Sequence, residues 1–327
     1  EEISRNKQAI AAQYSQVFGG QSFKTVDNYD WFKDINYLDF LRDVGKHVPM
    51  RQMLARDFVG NRLGEEGTGL SYAEFSYVLI QAYDFLHLYN EHGVTLQVCG
   101  SDQWGNSIAG VDLIRRKTGG EAHVYSVPLI VNKSTGKKFG KSEEGAIWLD
   151  PAKTTPTQFY QFWINADDAG AEDYLKVFTE LDKDTIEAVM AEHAENQGLR
   201  VAQKRLALEV TTLVHGAEQT AVAVAVTNYL TGATSIGEAD DASLQALRQE
   251  ISAVHSPQNG SIVDALVRAD LATSNTEARR LLSGNAIAVN GVKTANETFQ
   301  PSDFQNGKLL LRRGKAFKDS ALVELGE

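Results

Sequence analysis

A run of β-branched and apolar residues at positions 94–99, Val-Thr-Leu-Gln-Val-Cys, constrains the fold more than any other stretch of this sequence. The run ends at Gly100 and Ser101, and segments with helical spacing lie on both sides of it. An apolar run of this length between helices is typical of a parallel strand in an α/β sheet. Residues 123–131 predict a second strand. We therefore predict half of a doubly wound sheet, with ligands at the C-terminal ends of its strands.

A loop with four lysines follows the second predicted strand. Its basic residues are Lys133, Lys137, Lys138 and Lys141, and two glycines, Gly136 and Gly140, separate them. Ammonium groups on such a loop suit a polyphosphate, because they stabilise charge that develops on a leaving group. The alternative is a solvated basic hairpin tip. The Gly-Lys-Ser ending is not a P-loop, since three residues separate the two glycines and that motif requires four.

Three polar residues, Tyr77, Gln81 and Asp84, share one face of a predicted helix because they are spaced by four and three. Ser71 and Glu74 predict a capping box at the start of this helix. A face that packed into an ordinary core would be apolar. Since buried polar groups need partners, the face predicts a pocket for a polar ligand. The alternative is an exposed polar stripe.

The segment G-S-D-Q-W-G-N at 100–106 begins where the first predicted strand ends. Gly100 permits a close approach of the backbone to a sugar or phosphate. Asp102 is a candidate acceptor for ribose hydroxyls, and Gln103 is a candidate partner for a carboxyl or phosphate oxygen. The alternative is a β-turn followed by a helix N-cap.

The net charge of −11 is unevenly distributed. Residues 258–327 carry 9 Lys and Arg against 8 Asp and Glu, a net charge of +1, so the rest of the chain carries −12. An acidic body argues against a purely electrostatic nucleic-acid binder, and any RNA contact is expected in the C-terminal part.

A single cysteine, Cys99, excludes an internal disulfide and fits a reducing cytosol. No apolar run reaches about 18 residues, so we expect no membrane span. We predict an α/β region at 1–150, a helical domain at 151–232, a linker at 233–258 and a small α+β module at 259–327.

Three ordered motifs resemble the bacterial tyrosyl-tRNA synthetases: Y-x-x-x-Q-A-Y-D at 77–84, G-S-D-Q-W-G-N at 100–106 and K-F-G-K-S at 138–142. Two further segments, F-L-R-D-V-G-K-H at 40–47 and F-Y-Q-F-W-I-N at 159–165, extend the resemblance over essentially the whole chain. It implies the C-terminal half of a Rossmann-like nucleotide-binding fold, followed by a helical domain and a small α+β alpha-L RNA-binding domain.

The resemblance also implies an activity. An enzyme of this family makes tyrosyl-adenylate from L-tyrosine and ATP and then transfers tyrosine to tRNA(Tyr). ATP is then a substrate, accompanied by Mg²⁺, with no tightly bound cofactor and no metal site in the protein. A cytoplasmic homodimer is implied, with residues 38–63 near the subunit interface.

Residue roles follow from the same resemblance. Lys138, Lys141 and Ser142 match the catalytic signature loop, whose lysines stabilise the pyrophosphate leaving group. Tyr77 and Gln81 match residues that hold the tyrosine amino group, and Asp84 matches a residue on the phenol side.

For the nucleotide, the resemblance implies Gly100, Asp102 and Lys141 as ATP-binding residues, with Asp102 at the ribose. It implies Gln103 as a tyrosine-binding residue, at the carboxyl or the α-phosphate. Ile130 and Val131 are implied to approach adenine by their backbone. Synthetases of this family are a known example of a site that rejects an analogue lacking a hydroxyl, because the unpaired polar groups of the site are costly.

The C-terminal module resembles the alpha-L motif of RNA-binding proteins, in which basic side chains contact phosphates. The resemblance implies this role for Arg279, Arg280, Lys293, Arg312 and Arg313. The alternative is a solvated basic helix face.

Two features of the family have no counterpart here, the H-I-G-H motif and an early tyrosine that grips the substrate phenol. We therefore expect a truncated form, and expect these 327 residues alone not to aminoacylate tRNA. Near-normal tyrosine-dependent ATP–pyrophosphate exchange would contradict this. The alternatives are a non-catalytic RNA-binding relative of a synthetase and an unrelated nucleotide-binding α/β protein.

Overall fold

The computed structural model describes residues 1–19, 21–54, 57–63, 68–131, 133, 147–314 and 316–326, without the side chains of residues 57, 58 and 61. The described residues divide into two compact units, residues 22–131 on the one hand and residues 1–21 with 132–327 on the other.

The helices are α1 (Glu2–Val17), α2 (Tyr29–Phe32), α3 (Tyr37–Asp43), α4 (Met50–Leu54), α5 (Asp57–Leu63), α6 (Tyr72–His92), α7 (Trp104–Thr118), α8 (Pro156–Ile164), α9 (Ala171–Phe178), α10 (Lys183–Glu195), α11 (Val201–Thr231), α12 (Asp241–Glu250), α13 (Ile262–Arg268) and α14 (Asn275–Ser283). The strands are β1 (Leu96–Gly100), β2 (His123–Val127), β3 (Ser252–Ser256), β4 (Ile287–Val289), β5 (Val292–Lys293), β6 (Lys308–Arg313) and β7 (Ser320–Leu325).

The unit formed by residues 22–131 contains the predicted strand–helix–strand arrangement. Strands β1 and β2 pair in parallel, with Leu96 opposite His123 and Gly100 opposite Val127. The helix between them, α7, packs against α6 so closely that a Cβ on Gly110 would lie 3.0 Å from Phe85. The parallel strands confirm the α/β prediction. The second strand is shorter than predicted, since it ends at Val127 and residues 129–131 lie beyond it.

Helix α6 begins with the predicted capping box. The Ser71 side chain accepts from the Glu74 backbone N–H, and the Glu74 carboxylate accepts from the Ser71 backbone. One side of α6 is buried with α7 in an apolar cluster that includes Val78 and Leu86. This packing leaves a different side of the helix for the polar residues.

Residues 156–231 contain the four helices α8 to α11, as the helical spacing of this region predicts. Thr155 caps α8, which buries Phe159 and Trp163. The long helix α11 has a kink at Gly216, whose φ of 81° lies in the region that favours glycine.

The C-terminal part contains a five-stranded sheet in the order β3-β7-β6-β4-β5. Strands β4 and β6 lie in the part of the chain for which the small α+β module is predicted. Strand β3 was not predicted, because residues 233–258 have the composition of a linker. In the structure this segment contains α12, and β3 pairs in parallel with β7. Helices α13 and α14 cover the sheet over a closed apolar core around Leu266, Leu282 and Leu309.

Candidate active site

The three polar residues of α6 lie on one side of the helix, at the edge of its buried face. Tyr77 is 57% exposed, and Gln81 and Asp84 are half-buried. The face is therefore neither apolar core nor a fully solvated stripe. Half-buried polar groups that point from a rigid helix are suited to meet a polar ligand.

Asp84 is held by two residues from the start of this unit. Trp31 Nε1 donates to Asp84 Oδ1 at 2.9 Å, and Asn28 Nδ2 donates to Asp84 Oδ2 at 3.2 Å. Burial raises the pKa of the Asp84 carboxyl above its ordinary value, and the two hydrogen bonds offset part of that rise. An ionised carboxylate only accepts hydrogen bonds and has about four lone-pair sites. With two donors in place, Asp84 retains capacity to accept from a ligand hydroxyl.

Sequence reasoning did not identify Asn28 and Trp31 as partners of Asp84. They lie 56 and 53 residues before it, so no local spacing connects them. The only local signal was the turn-like aromatic cluster at 28–31.

The second predicted segment lies at the C-terminal end of β1. A short 3-10 turn, Ser101–Gln103, connects β1 to α7. A Cβ on Gly100 would lie 2.8 Å from the Asp102 carboxylate, so a larger residue there would displace the Asp102 side chain. Asp102 is exposed, whereas Gln103 is half-buried and its Oε1 accepts from Asn106 Nδ2 at 3.0 Å.

The ends of β1 and β2 bring the predicted nucleotide residues to one edge. The parallel register sets Gly100 opposite Val127, and a Cβ on Gly100 would lie 3.4 Å from the Leu129 side chain. Ile130 and Val131 follow directly in the chain. The carboxyl ends of neighbouring parallel strands are where α/β proteins bind ligands.

The catalytic predictions Lys138, Lys141 and Ser142 lie outside the described residues. Lys133 is described, and its Nζ forms an ion pair with Asp173 Oδ2 at 2.6 Å. Both side chains are about half exposed, so this pair contributes at most about 1 kcal/mol.

The five predicted RNA-binding residues fall into two groups. Arg279, Arg280 and Lys293 are exposed, and Arg279 pairs with Glu297 at 3.3 Å. The other two, Arg312 and Arg313, form hydrogen bonds with backbone carbonyls of this chain. Arg312 donates to the Leu230 carbonyl at 3.1 Å, and Arg313 donates to the Leu271 carbonyl at 3.0 Å.

Among the described residues, no group of His, Cys, Asp and Glu side chains is arranged to hold a metal ion. Within the same ranges, no helix has the length and apolar character needed to span a bilayer.

Comparison with known proteins connects this geometry to a family. The family model described as tRNA synthetases class I (W and Y) matches residues 1–231, and the model described as the tyrosine–tRNA ligase SYY-like C-terminal domain matches residues 243–318. The chain belongs to the tyrosyl-tRNA synthetase family. The resemblance in the three motifs is thereby confirmed, and an unrelated nucleotide-binding protein is excluded.

Curated relatives agree with the family models. A tyrosine–tRNA ligase of Bacteroides fragilis is 44% identical over 333 aligned residues, covering 96% of this chain and 77% of the relative. A tyrosine–tRNA ligase of Streptomyces griseus is 44% identical over 315 residues, covering 95% of this chain and 74% of the relative.

Two solved structures share the fold. A C-terminally truncated mitochondrial tyrosyl-tRNA synthetase of Aspergillus nidulans has a TM-score of 0.55 and 30% identity, covering 70% of this chain and 66% of that one. The corresponding protein of Coccidioides posadasii has a TM-score of 0.54 and 28% identity, covering 67% of this chain and 64% of that one. The chain thus spans slightly less than two thirds of the length of each of these two solved proteins.

Proposed function

We propose that this chain supplies the tyrosine-binding face, the ATP-binding edge and the tRNA-binding module of a tyrosine–tRNA ligase, an enzyme that activates L-tyrosine with ATP and transfers tyrosine to tRNA(Tyr). The observation that carries the proposal is the face formed by Tyr77, Gln81 and Asp84 in a member of this family. In the first step a tyrosine carboxylate oxygen attacks the α-phosphorus of ATP, and pyrophosphate leaves. In the second, a ribose hydroxyl at the end of the tRNA attacks the adenylate carbonyl, and AMP leaves.

The α6 face supports recognition of tyrosine at both ends. Tyr77 and Gln81 supply oxygen acceptors for the substrate ammonium group, and Asp84 accepts the phenol O–H. Phenylalanine would leave Asp84 without this donor in a site closed by substrate. Since an unpaired buried polar group costs about 1 to 3 kcal/mol, the site favours tyrosine.

The edge formed by the ends of β1 and β2 supports ATP binding. Asp102 carries an exposed carboxylate that accepts from ribose hydroxyls, and Gln103 lies one residue further on for the carboxyl or α-phosphate. The backbone at Ile130 and Val131 is the proposed adenine contact. Mg²⁺ would arrive with the ATP phosphates. Lys138 and Lys141, with Ser142 beside them, would stabilise charge on the departing pyrophosphate.

The exposed basic residues of the C-terminal module support tRNA binding. Arg279, Arg280 and Lys293 are available for phosphate contacts. Because Arg312 and Arg313 donate to backbone carbonyls, we assign them to the fold of the module and give the phosphate contacts to the other three. We place the protein in the cytoplasm, where its tRNA and ATP substrates are found.

An exposed apolar surface in residues 22–131 supports a homodimer. Leu38 is 72% exposed, and Met50 and Tyr72 are also exposed. The Tyr37 and Tyr72 hydroxyls lie 3.1 Å apart beside a shallow, mainly apolar depression of about 250 Å³. Large exposed apolar surfaces mark association sites. Sedimentation of Leu38→Lys is expected to shift a dimer towards monomer; a wild-type monomer at all concentrations would contradict the proposal.

Binding and exchange measurements test the function. Equilibrium dialysis is expected to show binding of L-tyrosine in clear preference to L-phenylalanine, and Asp84→Ala should abolish that preference. In a ligase that contains these residues together with an H-I-G-H motif, Lys141→Ala should lower the rate of tyrosine-dependent ATP–pyrophosphate exchange far more than it lowers tyrosine affinity, because the lysine acts mainly in the transition state. Equal binding of the two amino acids, or equal loss of rate and affinity, would contradict the proposal.

A further inference from the structure

His87 stacks on the indole that donates to Asp84. The ring centroids of Trp31 and His87 lie 4.2 Å apart, with 20° between the ring planes. His87 follows Asp84 by three residues on α6, so both lie on the same side of the helix. One helix therefore contacts the Trp31 ring at two points: Asp84 accepts from its N–H edge and His87 covers its face.

The element that carries Trp31 gives its side chain little support of its own. Helix α2 has only four residues, the side chain of its N-cap residue Asn28 makes no capping hydrogen bond, and none of its residues is fully buried. Isolated helices shorter than about 12 residues are marginal in water. The neighbouring Phe32 is held separately, in contact with Tyr83 and Phe40. The orientation of the indole therefore depends on contacts with α6.

We infer that His87 is a positioning residue for recognition of the tyrosine hydroxyl, because its stack on Trp31 keeps the indole N–H on Asp84. The inference rests on the proposed function, in which Asp84 accepts the phenol O–H. Without the stack the indole has other orientations available, and Asp84 Oδ1 loses a donor. With only the Asn28 donor left, the carboxylate is held at one oxygen instead of two, so it is less well oriented to accept from the phenol.

Helix α6 contains a second histidine that serves as a matched control for the His87 variants. His92 lies on the same helix and its ring is 6.3 Å from the His87 ring. It is hydrogen-bonded to Lys24, at 3.5 Å between Nδ1 and Nζ, rather than stacked on Trp31. His92→Ala therefore removes the same residue type from the same helix while leaving the Trp31 stack in place.

Exchange of the Trp31 indole proton with water tests the stack directly. The chain has four tryptophans, and Trp31→Phe identifies the Trp31 indole signal in a ¹H–¹⁵N correlation spectrum. His87→Ala and His87→Gln should each speed this exchange about tenfold, the effect of losing one hydrogen bond. His87→Phe, which keeps an aromatic ring, should restore the wild-type rate, and His92→Ala should leave it unchanged.

The inference is overturned if His87→Gln exchanges at the wild-type rate, or if His87→Phe behaves like His87→Gln. Equal acceleration by His92→Ala would also overturn it, because the effect would then be general loosening of α6. Thermal unfolding of each variant shows whether it is folded. His87→Gln and His87→Phe keep a large side chain, so the comparison does not depend on the alanine variant.

Dialysis with labelled amino acids tests the consequence for specificity. His87→Gln should lower the ratio of tyrosine to phenylalanine affinity about three- to tenfold, mainly by weakening tyrosine. An unchanged ratio with accelerated indole exchange would overturn the role in specificity. A wild-type chain that binds no tyrosine would contradict the proposed function instead, while the exchange rates would still decide whether His87 holds Trp31.

Discussion

The proposed substrate face on α6 and the C-terminal module arrange their proposed functional residues in opposite ways. On α6 the polar groups are partly buried, and Asp84 depends on donors more than fifty residues away. In the C-terminal module the apolar core is closed, and Arg279, Arg280 and Lys293 lie at the surface. The first arrangement makes recognition depend on tertiary contacts. In the C-terminal module, the residues that stabilise the fold are separate from the residues proposed to bind tRNA, so a change in stability need not alter binding.

The largest expected effect is on the core of the C-terminal module. Leu266 is fully buried, so Leu266→Ala should lower the free energy of unfolding of this module by about 2 to 5 kcal/mol through lost burial and a residual cavity. Urea denaturation measures it. Val292→Ala, at a side chain that is 71% exposed, should change the free energy by less than about 0.5 kcal/mol. Loss of tyrosine affinity in Leu266→Ala would contradict the separation of the two regions.

The next largest effect is expected on tyrosine binding at the proposed substrate face. Trp31→Phe keeps an aromatic ring beside His87 but removes the donor to Asp84, and should weaken tyrosine binding about tenfold. Equilibrium dialysis measures the dissociation constant. Trp148→Phe, at an exposed tryptophan in the other unit, serves as the control and should leave the constant unchanged. If both variants bind like the wild type, Asp84 does not depend on its distant donor.

A smaller effect is expected for tRNA binding. Arg280→Gln removes one exposed charge and should weaken binding of tRNA(Tyr) about two- to fivefold while reducing the slope of log affinity against log salt by about 0.9. Filter binding at several salt concentrations measures both. Arg313→Gln should instead lower thermal stability, because Arg313 donates to Leu271 and Asp319. The reverse pattern would show that Arg313 is the phosphate contact.

The smallest effect concerns the pH dependence of stability. The pKa of Asp84 is raised in the folded state, so the folded chain binds its proton more tightly than the unfolded chain. Ionisation of Asp84 therefore costs stability, and the cost develops as pH rises from the ordinary pKa of 3.8 through the raised value. Asp84→Asn offers one oxygen to the two donors and is therefore less stable at every pH, but it should gain stability relative to the wild type as pH rises, by up to about 0.5 kcal/mol, since the group is only half-buried. Urea denaturation from pH 4.5 to 7.5 should show this gain growing with pH, and a gain that shrinks would contradict it.

Much of the fold followed from local pattern. The run at 94–99 predicted β1, the spacing of residues 72–89 predicted α6, and Ser71 with Glu74 predicted its cap. Strand β3 was missed because its residues have a linker composition and it is stabilised by pairing with β7, almost seventy residues later. A strand that forms only through such a pairing leaves little signal in its own sequence.

For the candidate site, the sequence by itself determined which side chains share one face of α6. It also contains the motifs that resemble the synthetase family. Because of helical spacing, Tyr77, Gln81 and Asp84 lie on the same face of the helix, and this does not depend on which residues pack against that face. Only the tertiary structure decided what holds them. The donors to Asp84, the stack of His87 on Trp31, and the use of Arg312 and Arg313 inside the fold all join residues that are far apart in the chain. The physical reason is that periodicity sets the direction of a side chain from local backbone geometry, whereas its partners depend on which distant segments pack beside it.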